Sequence, residues 1–162
     1  MYHGAALIQI AEHPNFTAIN SLKLSGNTIR VAYKINDDIA VYFKYASKPA
    51  GRFQEYVFTF TKSHLEELDH IADANSKCYV ALVCVKDREV CCLSHAQLQQ
   101  LFSRRKAALD KLGKAEDSLT VLVTAPKKKS LRIYVNSPGE RKIILGKALI
   151  VNRNAFPENI FN

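Results

Sequence analysis

Lys127, Lys128 and Lys129 stand side by side in the turn-rich stretch Ala125-Pro126-Lys127-Lys128-Lys129-Ser130, between two apolar, alternating segments. Three ammonium groups on one short loop are the chemistry of a polyanion contact, since each can neutralise a phosphate. Arg132, Arg141 and Lys142 follow in the same portion of the chain, and Arg104, Arg105 and Lys106 run consecutively before it. The formal net charge of +8 is confined to that end of the 162 residues. Residues 1–103 carry ten Lys/Arg and ten Asp/Glu, residues 104–117 five against three, and residues 118–162 eight against two. A general lysine bias would not divide the chain this way, whereas a polyanion-facing surface would. A well-hydrated, solubilising face is the alternative.

Other chemistry-bearing residues are less well assembled. Folding the segment around Asp87-Arg88 symmetrically sets Cys84 across from Cys91, and His95 follows Cys92 by three residues. Two thiolates and an imidazole could begin a zinc site, but no Cys-X-X-Cys is present, Cys91 and Cys92 alternate faces, and a fourth ligand is missing. Cys78, Cys84, Cys91 and Cys92 are therefore expected to be reduced, small buried hydrophobes. A nucleophilic Cys–His pair would need an orienting group, and none is visible around His3, His13, His64 or His70. The six glycines are dispersed and make no phosphate loop. Asp37 and Asp38 fall in Asn36-Asp37-Asp38, the composition of an Asx-type hairpin turn.

The elements that must position these groups are marked in the pattern. Gly4 to Glu12 is an apolar helix stopped by His13-Pro14, because Pro14 excludes helical geometry from the residue before it. Asn15 to Leu22 is expected to add a short turn of helix, and Ser25-Gly26-Asn27 a turn. Thr28–Lys34 and Ile39–Tyr45 alternate and predict a hairpin, and Tyr56–Phe60 predicts a third strand with an aromatic face. Ser63 with Glu66 has capping-box spacing before the stripe Leu65, Leu68, Ile71, Ala72. Cys78 to Val85 is apolar on both faces, as a central strand would be. A hairpin closed by residues 86–89 leads to Val90–Leu93. Ser94 with Gln97 caps a helix continuing to Gly113. Strands are expected at Leu119–Thr124, Leu131–Asn136, Ile143–Leu145 and Ala148–Val151, the first two joined by the lysine tip.

These signals predict an α+β fold, a mixed sheet with flanking helices. Residues 1–113 form its core, and the basic β-rich residues 114–162 are packed on that core or make a small second lobe. No apolar run reaches bilayer length and no signal-peptide pattern is present, so a cytoplasmic location and no membrane partner are expected.

The order helix, three strands, helix, strand over residues 4–86 resembles the core of the restriction-endonuclease-like, or PD-(D/E)XK, nucleases. In that superfamily an acid near the start of the second strand and an acid-X-lysine on the third hold a divalent metal, often with a glutamate from the first helix. The resemblance implies that Asp38 is the first acid and Glu12 the helical glutamate, the two metal candidates. It also implies that Glu55 and Lys62 complete the catalytic set, with Mg²⁺ as cofactor only if the core is catalytic. Glu55-Tyr56-Val57 has the acid but places Val57 where the lysine belongs. Lys44 shares a strand face with Asp38 but lies six residues, roughly 20 Å, along it. Pairing the two apolar faces antiparallel sets Val41 near Phe58 and brings Asp37 and Asp38 towards Thr61 and Lys62. The leading expectation is a nucleic-acid-binding protein on a nuclease-like core without an intact catalytic motif. One alternative is a non-enzymatic interaction module, such as a homodimer whose basic face meets an acidic partner. The other is a metal-dependent DNA or RNA phosphodiesterase.

Overall fold

The computed structural model describes residues 3–24 and 27–162, and their side chains apart from those of residues 3, 24, 27–30, 141 and 142. The chain runs α1 (His3–Ala11), β1 (Ile19–Leu24), β2 (Asn27–Ile35), β3 (Ile39–Ala46), β4 (Tyr56–Phe60), α2 (Lys62–Ala74), β5 (Lys77–Cys84), β6 (Glu89–Ser94) and α3 (His95–Lys111). It continues through β7 (Leu119–Thr124), β8 (Leu131–Tyr134), β9 (Asn136–Ser137), β10 (Glu140–Ile144), β11 (Leu149–Val151) and α4 (Glu158–Phe161). The fold is α+β, with a mixed sheet and flanking helices.

Sheet one has the order β1-β2-β3-β5-β6. Its neighbours are antiparallel except β3 and β5, which run parallel from Ile39↔Lys77 to Ala46↔Cys84. A parallel pair needs a crossover, and α2 lies in that connection. Both strands are covered on both faces. Ile39, Val41 and Phe43 pack with Ala6 and Ile10 of α1 and with Phe156 and Ile160 near α4. Ala40 and Tyr42 join Leu68 and Ile71 of α2 and Leu98 and Leu101 of α3 on the other side. Sheet two, β11-β8-β7-β4, lends its inner face (Tyr56, Phe58, Phe60, Val121, Val123, Ile133) to this second cluster. The last third of the chain thus shares one sheet with β4 and one core with residues 22–101. No polar or charged residue is buried among the described residues.

Four expectations are corrected. β4 does not extend the β2–β3 hairpin: it leaves sheet one and pairs with β7, Phe58 opposite Val121. Its half-buried alternation suits a sheet covered on one face, while the edge of β3 is taken by the largely apolar, more fully buried β5. The third strand of the meander is instead β1, in the segment read as a turn of helix. Asn36, at φ 55°, holds the approach to β1 in place, accepting from Thr17 N at 2.8 Å and donating to Asn15 O at 2.9 Å. α2 is capped two residues earlier than Ser63: Thr61 Oγ1 accepts from His64 N, and His64 Nδ1 accepts from Thr61 N. Finally, Cys84 faces Glu89, and Cys91 faces Leu82. A four-residue turn with Arg88 at φ 54° closes the hairpin, shifting the register by two, which keeps every side chain on its expected face. The Ser94–Gln97 capping box and the β7–β8 hairpin form as predicted. Ser25 and Gly26 of the expected turn lie outside the described residues.

Candidate nucleic-acid interface

The lysine tip is built by the register of β7 and β8, which pairs Thr124 with Arg132 and leaves residues 125–130 to turn the chain. Lys128 adopts φ 59° and Lys129 N donates to Pro126 O at 3.2 Å, giving a tight turn in which Lys127, Lys128 and Lys129 are all exposed. One residue from far along the chain fastens this turn. The Arg153 guanidinium donates to Lys129 O at 2.6 Å, to Pro126 O at 2.6 Å and to Glu89 Oε1 at 2.9 Å. A planar fork with several fixed donors is suited to clamping two carbonyls and a carboxylate at once. Nothing in the local pattern Asn152-Arg153-Asn154 marks that role, which only the tertiary fold creates.

The remaining cations divide into two groups. Arg132 is exposed on the outer face of sheet two, and Lys106 is exposed on α3. Arg105 is instead committed internally, donating to both carboxylate oxygens of Glu116 and to Asn136 O. Arg104 donates to Lys147 O at 2.7 Å and lies against Gly146, where a Cβ would meet its Nε at 3.1 Å. These two arginines hold α3 to the C-terminal strands and have less to offer a ligand. The side chains of Arg141 and Lys142 lie outside the described residues.

Beside the tip, the outer face of sheet two carries a cleft of about 370 Å³ lined by Phe53, Thr124, Pro126, Arg132, Tyr134 and Ile144, with Glu55 at its side. Tyr134 Oη donates to Glu55 Oε2, and burial, reinforced by that carboxylate, raises the phenol's pKa. Phe53 is 49% exposed at the corner of the Gly51–Gln54 turn, which is closed by the Ala50↔Glu55 bridge. Phe53 and its exposed neighbour Arg52 carry no periodic signal and were not legible as site residues.

The acidic set suggested by the nuclease resemblance is dispersed. Asp38 sits at the β2–β3 turn, its carbonyl accepting from Lys77 N at the start of β5. Lys62 opens the 13-residue α2, whose other end leads to β5, so helix length alone separates the two by roughly 20 Å. The predicted approach of Asp38 to Lys62 fails because β3 pairs with β5 and not with β4. Glu55 precedes β4, at the end opposite Lys62, and is bound to Tyr134. Glu12 is exposed beyond α1, on the other side of sheet one from α2. Its segment is tied to the Asp38 turn through Asn36. Among the described residues no three His, Cys, Asp or Glu side chains gather as a metal group would require. All four cysteines are free and buried in β5 and β6, and burial pushes the Cys78, Cys84 and Cys92 thiols up to about 12, far from a thiolate at neutral pH.

A different polar group does assemble where β3 passes β4. Lys44 Nζ donates to Thr59 O at 2.5 Å and to His64 Nδ1 at 3.0 Å, and lies 4.9 Å from the centre of the Phe60 ring. Burial lowers the pKa of Lys44, and burial together with the Lys44 charge lowers that of His64. No helix among the described residues is long and apolar enough to cross a membrane. Compared with models of known families, with characterised proteins and with solved structures, the chain shows no significant match.

Proposed function

We propose that this protein binds nucleic acid through the β7–β8 tip and the adjoining outer face of sheet two. The observation that carries the reading is the fastened lysine turn: three consecutive ammonium groups, all exposed, on a loop that Arg153 fixes to the body of the protein. Repulsion among them goes uncompensated within the turn, and binding a polyanion relieves it with release of counterions.

The observed strand order also bears on the nuclease resemblance. Counting α1, the antiparallel meander β1-β2-β3, α2 and the parallel β5, the third strand of the nuclease-like core is β3. The acid-X-lysine position then falls on Tyr42-Phe43-Lys44, which keeps the lysine and replaces the acid by a buried tyrosine. On this reading the core has a nuclease-like order of elements without an intact acid-X-lysine, and binds without cutting. Purified protein titrated against fluorescent DNA and RNA oligonucleotides is expected to lose affinity by roughly tens to hundreds of fold between 50 and 200 mM salt. If no salt-sensitive binding to single strands or duplexes is found, the reading fails, and an interaction module for an acidic protein partner takes its place.

A further inference from the structure

We infer that the nucleic acid this surface takes is single-stranded, with an unpaired base entering the cleft beside the lysine tip and stacking on Phe53. This rests on the nucleic-acid reading above and goes beyond it by naming the substrate class. The outer face of sheet two follows from its register. Rows across the strands read Ile150–Arg132–Thr124 and then Tyr134–Leu122–Val57, the inner-face residues being those in the core. The cleft draws on both rows, with Arg132 and Thr124 from the first and Tyr134 from the second. Phe53 and Glu55 line it from the segment before β4, Pro126 from the lysine turn and Ile144 from β10.

Three features of the cleft select an unpaired base. Phe53 presents an aromatic ring to solvent from a backbone that is held: Gln54 N and Gln54 Nε2 both donate to Gly51 O, and Ala50 and Glu55 exchange backbone hydrogen bonds. An exposed ring on a fixed turn is a stacking platform, which any base can use. Second, the cleft sets the polar side chains of Thr124, Arg132 and Tyr134 beside the apolar Pro126 and Ile144, the mixed lining that takes a flat, polar-edged ring. Third, the Glu55 carboxylate beside it repels phosphate but accepts N–H groups, the donors on the Watson–Crick edges of cytosine, adenine and guanine. Those edges are paired in a duplex, and the floor of a cleft is out of reach of a base still in its stack. Phosphates flanking the inserted base meet Arg132, which lines the cleft, and the exposed lysines that follow Pro126 in the same turn.

The chain contains no tryptophan, so Phe53→Trp introduces a single reporter at the platform. Its emission is expected to be quenched by a 20-nucleotide single strand and not by a blunt duplex of the same sequence, with the single strand bound at least tenfold more tightly. Phe53→Ala is expected to weaken single-strand binding about tenfold, the worth of one stacked base, while leaving the salt slope unchanged because no charge is removed. Equal affinity for duplex and single strand, absence of quenching, or a neutral Phe53→Ala overturns this inference and leaves nucleic-acid binding standing. Competition by polyglutamate at equal charge concentration overturns it as well, because the face then reads only charge. Loss of salt-sensitive binding to every nucleic acid tested removes both readings, a result distinguishable from the others in the wild-type titration alone.

Discussion

Lys44 and the lysines of the β7–β8 tip are the same side chain put to opposite uses. Lys44 is half-buried, and its ammonium is placed on a carbonyl, an imidazole and a ring, all from the protein itself. Lys127, Lys128 and Lys129 are exposed on a turn whose backbone carbonyls, not whose charges, are engaged by Arg153. The first arrangement ties β3 to β4 and to the start of α2, and so joins the two sheets. The second holds charge away from the body without neutralising it. Positive charge in a sequence therefore says little until its partners are known: Arg104 and Arg105 were grouped with the tip by sequence, yet structurally they belong with Lys44.

The largest effect that separates these uses concerns binding. Replacing Lys127, Lys128 and Lys129 together by Ala is expected to lower affinity for a single strand at 50 mM salt by tens of fold. The log–log salt slope should fall by about 2, near 0.7 per lost phosphate contact. Thermal stability should stay within about 0.5 kcal/mol, since exposed loop-tip side chains support no packing. Lys44→Ala should do the reverse, costing about 1–2 kcal/mol through the lost bonds to Thr59 O and His64 while leaving the salt slope intact. A triple variant that binds normally, or a Lys44 variant that loses the salt slope, would erase the distinction.

Much of the fold was legible because its signals are local. Ser94 with Gln97, the alternation of residues 119–124 and 131–134, and the turn composition around Lys127–Lys129 each depend on neighbours a few residues away. What was hidden depends on partners far along the chain. The alternation of Tyr56–Phe60 announces a half-buried strand, but not that its partner is Leu119–Thr124. That one ambiguity produced the wrong register for Asp38 and Lys62. The polar composition of Ile19–Leu24 concealed an edge strand, which needs only one covered face. Arg153 and Phe53 were hidden for the same reason: one is an isolated arginine and the other a ring in a glycine-rich turn until the fold brings both to the tip.

A smaller effect tests the internal site through pH. His64 Nδ1 accepts from Lys44 Nζ and from Thr61 N, so protonating it removes the acceptor for both and opposes a neighbouring cation. With the native pKa lowered by burial and by Lys44, the unfolded chain binds the proton more readily than the folded one. Stability is therefore complete above the unfolded histidine value near 6.5 and declines as pH falls through it towards the lower native value. Because the ring is partly solvated, the loss between pH 7 and 5 should be no more than about 1 kcal/mol, a drop of about 2–4 °C in Tm. His64→Gln keeps a capping-box acceptor at the third helical position and should flatten this difference. An unchanged pH profile in that variant would assign the acid sensitivity elsewhere.

The smallest expected effect is none at all, and it concerns Asp38. If the core of sheet one cut phosphodiesters, Mg²⁺ or Mn²⁺ would support cleavage and Asp38→Ala would abolish it while leaving the fold intact. The geometry argues otherwise. Lys62 lies a helix length from Asp38, Glu55 is bound to Tyr134, and among the described residues no three potential metal ligands gather. Surface carboxylates that do not converge hold Mg²⁺ poorly, because the ion keeps its water shell unless several ligands are already in place. The expected outcome is no metal-dependent cleavage of DNA or RNA by the wild type, and unchanged single-strand affinity and salt slope in Asp38→Ala. Asp38-dependent cleavage would place the chemistry on sheet one after all, with the lysine tip reduced to delivering its substrate.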